Sequence, residues 1–90
     1  GNKSIVFRVQ IATSKIKLEL KSFNFKGMKD VDRTESGNKY KYIVGKYSSI
    51  EEAKSRQMEV RKIGYESAFV IAFENGKRVD LQKAIEKSKM

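Results

Sequence analysis

Tyr40-Lys41-Tyr42-Ile43-Val44-Gly45-Lys46-Tyr47 runs directly into Ser48-Ser49-Ile50-Glu51-Glu52-Ala53, and this junction decides the fold. In the first stretch Tyr40, Tyr42 and Val44 alternate with Lys39, Lys41 and Ile43, the two-residue period of a strand that turns one face to a core. In the second, Ser49 followed by Glu52 is a capping box, in which each side chain satisfies the other residue's free backbone N–H. A strand that turns at a glycine therefore hands over to a capped helix. That helix carries Ile50, Ala53, Val60 and Ile63 on one stripe and stops at Gly64. Glu51 and Glu52 stand at its positive end, Arg61 and Lys62 at its negative end, each the favourable sign.

Upstream, residues 30–35 and 39–47 read as an antiparallel pair joined by the polar turn Glu35-Ser36-Gly37-Asn38. Residues 5–13 alternate as well, with Ile5, Phe7, Val9 and Ile11 on one side and Val6, Arg8, Gln10 and Ala12 on the other. Between these strands Ile16, Leu18 and Leu20 interleave with Lys15, Lys17, Glu19 and Lys21, a period of two that argues against a helix. Ser22-Phe23-Asn24-Phe25-Lys26-Gly27 reads as one short helical turn closed by its glycine. Downstream, Ser67 to Phe73 is an unbroken apolar strand, and Asn75-Gly76 supplies a tight turn into Lys77-Arg78-Val79. A short helix from Asp80 to Lys87 follows, with Leu81, Ala84 and Ile85 facing inward. Phe69 and Phe73 share one face of their strand and Ala68, Val70 and Ala72 the other; alternation does not reveal which set meets the helices.

The expected class is α+β: a single antiparallel sheet with helices on one face, in a βαββαβ arrangement of the ferredoxin-like or RNP-like kind. Its first helix is short or degraded. One domain is expected over residues 5–87, with residues 1–4 a cleaved end or a linker.

Composition narrows the function. The 90 residues are 39% hydrophobic and 34% charged, the balance of a small folded module rather than a disordered chain. No run approaches the ~20 apolar residues that cross a bilayer, so no membrane insertion is expected. The chain has no His and no Cys. The zinc of a hydrolase would need His or comparable ligands, and the adjacent Glu51 and Glu52 act as a helix cap and point apart. No catalytic residue, metal or cofactor is expected. Lack of cysteine fits a reducing compartment and a bacterial envelope protein without disulfides equally. Asp30-Val31-Asp32-Arg33-Thr34 has the opening spacing of a calcium loop, but Glu35 stands where the loop's glycine belongs. Asn2-Lys3-Ser4 fits a glycosylation acceptor, a three-residue pattern that carries little weight.

Twenty Lys and Arg against 11 Asp and Glu give a net charge of +9. A polyanionic partner is one reading: nucleic acid, anionic lipid or an acidic polysaccharide. A solvated lysine-rich surface is the other.

The residues resemble a SPOR domain, the sporulation-related repeat found at the ends of bacterial cell-wall proteins. Phe7, Val9, Gln10, Ile11 and Ala12 match its first strand. Tyr40, Lys41, Tyr42, Val44 and Gly45 match its second aromatic–basic–aliphatic run, followed by the aromatic Tyr47. Ser49, Glu52 and Ala53 match its helix start, and Gly64-Tyr65 before Ala68 to Ile71 matches its helix end. The stretch from Phe23 through the Asn-Gly-Lys-Arg turn looks like variants attached to N-acetylmuramoyl-L-alanine amidases. Residues 14–29 depart from the family, which places an alanine-rich helix there.

The resemblance implies a non-catalytic module of the periplasm or bacterial cell envelope, enriched at the division site. Its partner would be peptidoglycan glycan strands stripped of their stem peptides, with no nucleic acid involved. Such strands are regularly spaced polyanions, because peptide removal frees the lactyl carboxylate of each muramic acid. On the face left open by the helices, Arg8, Lys39 and Lys41 would pair with those carboxylates. Gln10 would bond sugar hydroxyls and acetamides, while Ala12 and Ile43 would leave a low floor for ring faces. The rival is an RNA-binding module of the RRM kind, which shares strand order and basic charge. It needs aromatics where this sequence places Arg8, Gln10, Ser67 and Ala72.

Overall fold

Five strands, β1 (Ile5–Ser14), β2 (Val31–Ser36), β3 (Lys39–Tyr47), β4 (Phe69–Glu74) and β5 (Lys77–Val79), form one curled antiparallel sheet in the order β2-β3-β1-β4-β5. Two helices, α1 (Ile50–Lys62) and α2 (Leu81–Ser88), pack against one side of it. This computed structural model describes residues 4–90. Of the segment read as a cleaved end or linker, and of the Asn2-Lys3-Ser4 acceptor, all but Ser4 lies outside the described residues. The fold is the α+β arrangement expected, extended by β5, which the Asn75-Gly76 turn pairs onto the sheet edge with Glu74 opposite Lys77.

The core lies between the sheet and the helices. Ile5, Phe7, Val9 and Ile11 enter it from β1, and Tyr42 and Val44 from β3. Ile50, Ala53 and Val60 meet them from α1, and Ala84 from α2. Each fully buried large apolar side chain contributes about 1.5–3 kcal/mol. Ala68, Val70 and Ala72 also join this core, which resolves the parity of β4: Phe69 and Phe73 go to the opposite face.

Both helices are capped as their sequences indicate. Ser49 Oγ accepts from the Glu52 N–H at 3.2 Å, and the Glu52 carboxylate takes the Ser49 hydroxyl at 3.0 Å instead of a backbone N–H. At the far end Tyr65 N–H reaches Val60 O at 3.0 Å and Gly64 N–H reaches Arg61 O at 3.2 Å. This closure turns at Gly64, with φ +127°. Ile63, expected on the buried stripe, is instead the C-cap and is 44% exposed, because the helix ends one residue before it. Asp80 caps α2 by accepting from the Lys83 N–H at 3.0 Å.

Residues 15–30 take the place of the first helix. They run irregularly over the helix-bearing side, with one 3-10 turn at Ser22–Phe25. Phe25 is buried, its ring 5.1 Å from that of Tyr42. The Tyr42 hydroxyl accepts from Leu18 N–H at 2.8 Å and donates to Ile16 O, while Arg33 donates to Leu18 O at 2.8 Å. Farther along, Arg56 on α1 donates to both Asp30 oxygens at 2.8 Å and to the Tyr47 hydroxyl at 3.0 Å. The first of these contacts holds the Asp30 carboxyl below its ordinary pKa. The segment is thus pinned by Phe25, Leu18 and Met28 against the core and by these polar contacts, without a helix.

Two irregularities in the β1–β3 pairing bend the sheet. One lies opposite Arg8, where Gly45 and Lys46 bulge from β3; the other lies at Ile11, between the Gln10–Ile43 and Ala12–Tyr42 pairs. Gly45 takes φ +74°, and a Cβ there would fall against the Tyr47 ring. Only glycine meets both demands without strain.

Candidate functional site

Among the described residues no element covers the face of the sheet away from the helices. Register identifies its residues, because directly paired residues share a face. Gln10 lies between Ile43 and Phe69, with Asp32 beyond Ile43; Arg8 pairs with Ile71 and Val6 with Phe73. Thr34, Lys41 and Thr13 form another row, and Arg78 stands beside Phe73 at the far edge.

Although no helix covers this face, its centre is shielded. Gln10 is 6% exposed and Ile43 1% exposed. Beside them runs a groove of about 350 Å3, lined by Val6, Arg8, Thr34, Ile43, Lys46, Phe73 and Gly76. Its floor is apolar (Val6, Ile43, Phe73) and cations flank it (Arg8, Lys46), a combination that suits a ring with a hydrophobic face and an anionic substituent.

Arg8 is built into the sheet. Its Nε donates to Gly45 O at 2.5 Å and its Nη2 to Asp32 Oδ2 at 2.6 Å, and its side chain is only 11% exposed. Asp32 is the only acid that strand register places on this face among the described residues, and Arg8 neutralises it. The charge presented to a ligand therefore comes mainly from Lys41, Lys46 and Arg78, with Lys39 near the hairpin end.

Gln10 is the anomaly. Its side-chain oxygen Oε1 is buried and has no hydrogen-bond partner. A buried acceptor left unmade costs about 1–3 kcal/mol, so such groups need a reason.

The structure brings the sequence-derived candidates together unevenly. Arg8 and Ile43 line the groove, Gln10 adjoins Ile43, and Lys41 stands on the same face two positions along β3. Lys39, paired with Ser36, is remote at the hairpin end. Ala12 is a correction. The irregularity at Ile11 carries it opposite Tyr42 and against the core, and Thr13 takes the open-face position beside Lys41. Nothing in the sequence signals that bulge.

Sequence reading also missed Lys46. Strict alternation from Ile43 sends it to the core side, but the bulge restores it to the groove and Tyr47 to the core. Gly45 was the available signal, since a lone glycine inside a strand marks a bulge. Val6, Thr34 and Phe73 complete the lining.

Elsewhere, chemistry is absent or occupied. Asp30 and Asp32, the calcium-loop decoy, are held by Arg56 and Arg8. Among the described residues no group of three His, Cys, Asp or Glu could hold a metal, and no helix is long and apolar enough to cross a membrane.

No curated protein and no solved structure matches the chain. A family model does: that of the SPOR domain matches residues 3–72, from ahead of β1 into β4. The junction from Tyr40 to Ala53, the Phe7–Ala12 strand and the Gly64-Tyr65 helix end all fall inside that match. The chain therefore belongs to the SPOR domain family, non-catalytic modules that bind peptidoglycan and localise to the division septum.

Proposed function

We propose that the open face receives glycan strands from which the stem peptides have been removed, and so brings a cell-wall enzyme or division protein to the septum. The observation that carries this reading is the unpartnered Gln10 oxygen beside an apolar-floored, cation-flanked groove. An N-acetylated sugar offers what each part lacks. Its ring face lies on Val6 and Phe73, the freed lactyl carboxylate meets Lys46 and Lys41, and its acetamide N–H supplies a donor to Gln10 when that side chain turns outward from its buried position. Each exposed ion pair contributes about 0.2–1 kcal/mol, so binding gains strength by repetition along the strand and weakens with salt.

The enzyme served by such a module would be an N-acetylmuramoyl-L-alanine amidase of the periplasm or envelope, whose own product is the strand recognised. For RNA, bases would have to stack on aromatics of the central strands. Here β1 and β3 present Arg8, Gln10, Lys41 and Ile43 instead, and the aromatics of the open face, Phe69 and Phe73, both stand on β4, which favours a saccharide over a nucleic acid.

Co-sedimentation tests the reading: the domain is mixed with purified sacculi, untreated or amidase-treated, beside an RNA oligonucleotide control. The expected result is stronger pelleting with treated wall, and its loss in Gln10→Ala combined with Lys41→Glu at a nearly unchanged melting temperature. Retention of RNA without wall binding would overturn it.

A further inference from the structure

On the helix-bearing side, behind the open face, residues 15–21 leave a second groove of about 480 Å3, lined by Lys17, Leu18, Glu19, Leu20, Lys21 and Arg33. Three properties of this region have no counterpart within the chain. Apolar surface is the first: Ile16, Leu20 and Phe23 are 71%, 44% and 75% exposed, close together in a segment that a helix would otherwise replace. Charge is the second. Lys15, Lys17, Lys21 and Arg33 stand against Glu19, which Lys21 approaches at 3.3 Å, and Glu35, two residues from Arg33 on the same face of β2.

The third is backbone. Ile16 O and both polar groups of Leu18 turn inward, to the Tyr42 hydroxyl and to Arg33. The intervening Lys17 N–H and C=O and the Glu19 N–H have no partner among the described residues. Over Ile16–Glu19 inward and outward backbone groups alternate, as at the edge of a strand, while the Glu19 and Lys21 carbonyls farther along are taken by the Asn24 side-chain amide and N–H.

We propose that this groove docks an extended, acidic peptide segment of a partner protein, its backbone meeting Lys17 and the Glu19 N–H and its side chains reaching toward Leu20 and Lys21. The free N–H and C=O of Lys17 and the free N–H of Glu19 are what the end of an added strand pairs with, and the flanking side chains supply specificity. The lysines select acidic side chains, and Leu20 with its exposed neighbours receives the apolar ones. Bilayer binding is disfavoured by shape: a flat surface cannot enter a groove, and lipid offers no ladder of backbone partners. Because Tyr42 and Arg33 hold this segment on the core side of the sheet, peptide and glycan would bind at the same time.

The test is a chemical-shift titration of the isotope-labelled domain with a synthetic peptide alternating Glu and Val. A Lys–Val peptide and phosphatidylglycerol vesicles serve as parallel arms. Saturable shifts at Lys17–Lys21 and Arg33, unchanged when glycan is already bound, are expected. The double variant K17E/K21E should weaken the peptide about fivefold or more while its circular dichroism and wall binding stay as before. Equal response to the Lys–Val peptide, shifts confined to the open face, a response to vesicles without one to the acidic peptide, or no response at all would each overturn the proposal.

Discussion

Arg8 on β1 and Asp32 on β2 form an ion pair across the intervening strand, with Arg8 Nη2 2.6 Å from Asp32 Oδ2. The reach is made at the Gly45 bulge, where Arg8 Nε also takes the Gly45 carbonyl. A single side chain thus ties three strands together and faces the groove. In the proposed site Asp32 is a resident carboxylate on the same guanidinium that a ligand carboxylate would seek.

Removing that competitor should strengthen binding. In Asp32→Asn the guanidinium keeps a neutral hydrogen-bond partner but loses the opposing charge. Affinity for amidase-treated wall should rise about 1.5- to 5-fold, the equivalent of 0.2–1 kcal/mol for a partly exposed pair. Depletion assays at low and high salt check this, with the gain shrinking as salt rises.

Gln10→Leu separates binding from folding. Replacing a buried, unpartnered amide by an apolar side chain of similar shape removes a desolvation cost, so stability should hold or rise slightly. Wall binding should fall sharply. Thermal melting and co-sedimentation on the same preparation measure both.

Gly45→Ala should fail structurally. It puts a side chain at φ +74° and drives a Cβ into the Tyr47 ring, for a cost of about 1–3 kcal/mol from the backbone alone. The melting temperature should drop by roughly 4–8 °C per kcal/mol in a domain of this size, and Lys46 should leave the groove, reducing wall binding as well.

Acid should act through Asp30. Its folded-state pKa is depressed by Arg56 below the ordinary 3.8, so its contribution is complete above the unfolded value and disappears as pH falls through the lower folded one. Asp30→Asn should lower stability at neutral pH by about 0.2–1 kcal/mol, the range for a partly exposed pair. Its melting temperature should then change less than that of the wild type below pH about 4. Circular dichroism melts across this range read both effects.

Much of this architecture was legible in the sequence because local signals agreed. The Ser49–Glu52 cap, the Gly64 stop, the Asn75-Gly76 turn and the alternation of β1 and β3 each fix one element, and together they leave one face uncovered. Two features were not legible. Alternation cannot count through a bulge, so Ala12 was assigned to the wrong face and Lys46 was passed over. The faces of β4 are not legible from alternation either: only the packing of α1 and α2 on Ala68, Val70 and Ala72 puts Phe69 and Phe73 on the other side. The ion pair between Arg8 and Asp32 is long-range, and no spacing in the sequence announces it.

The most direct measurement is a backbone chemical-shift map of the domain titrated with peptide-free glycan oligosaccharides, repeated after their lactyl carboxylates are converted to amides. We predict shifts centred on Val6, Arg8, Gln10, Ile43, Lys46 and Phe73, with weaker binding by the amidated strands. Shifts centred on α1 and α2, or equal affinity for the two strands, would contradict recognition of a carboxylate-bearing glycan by the open face.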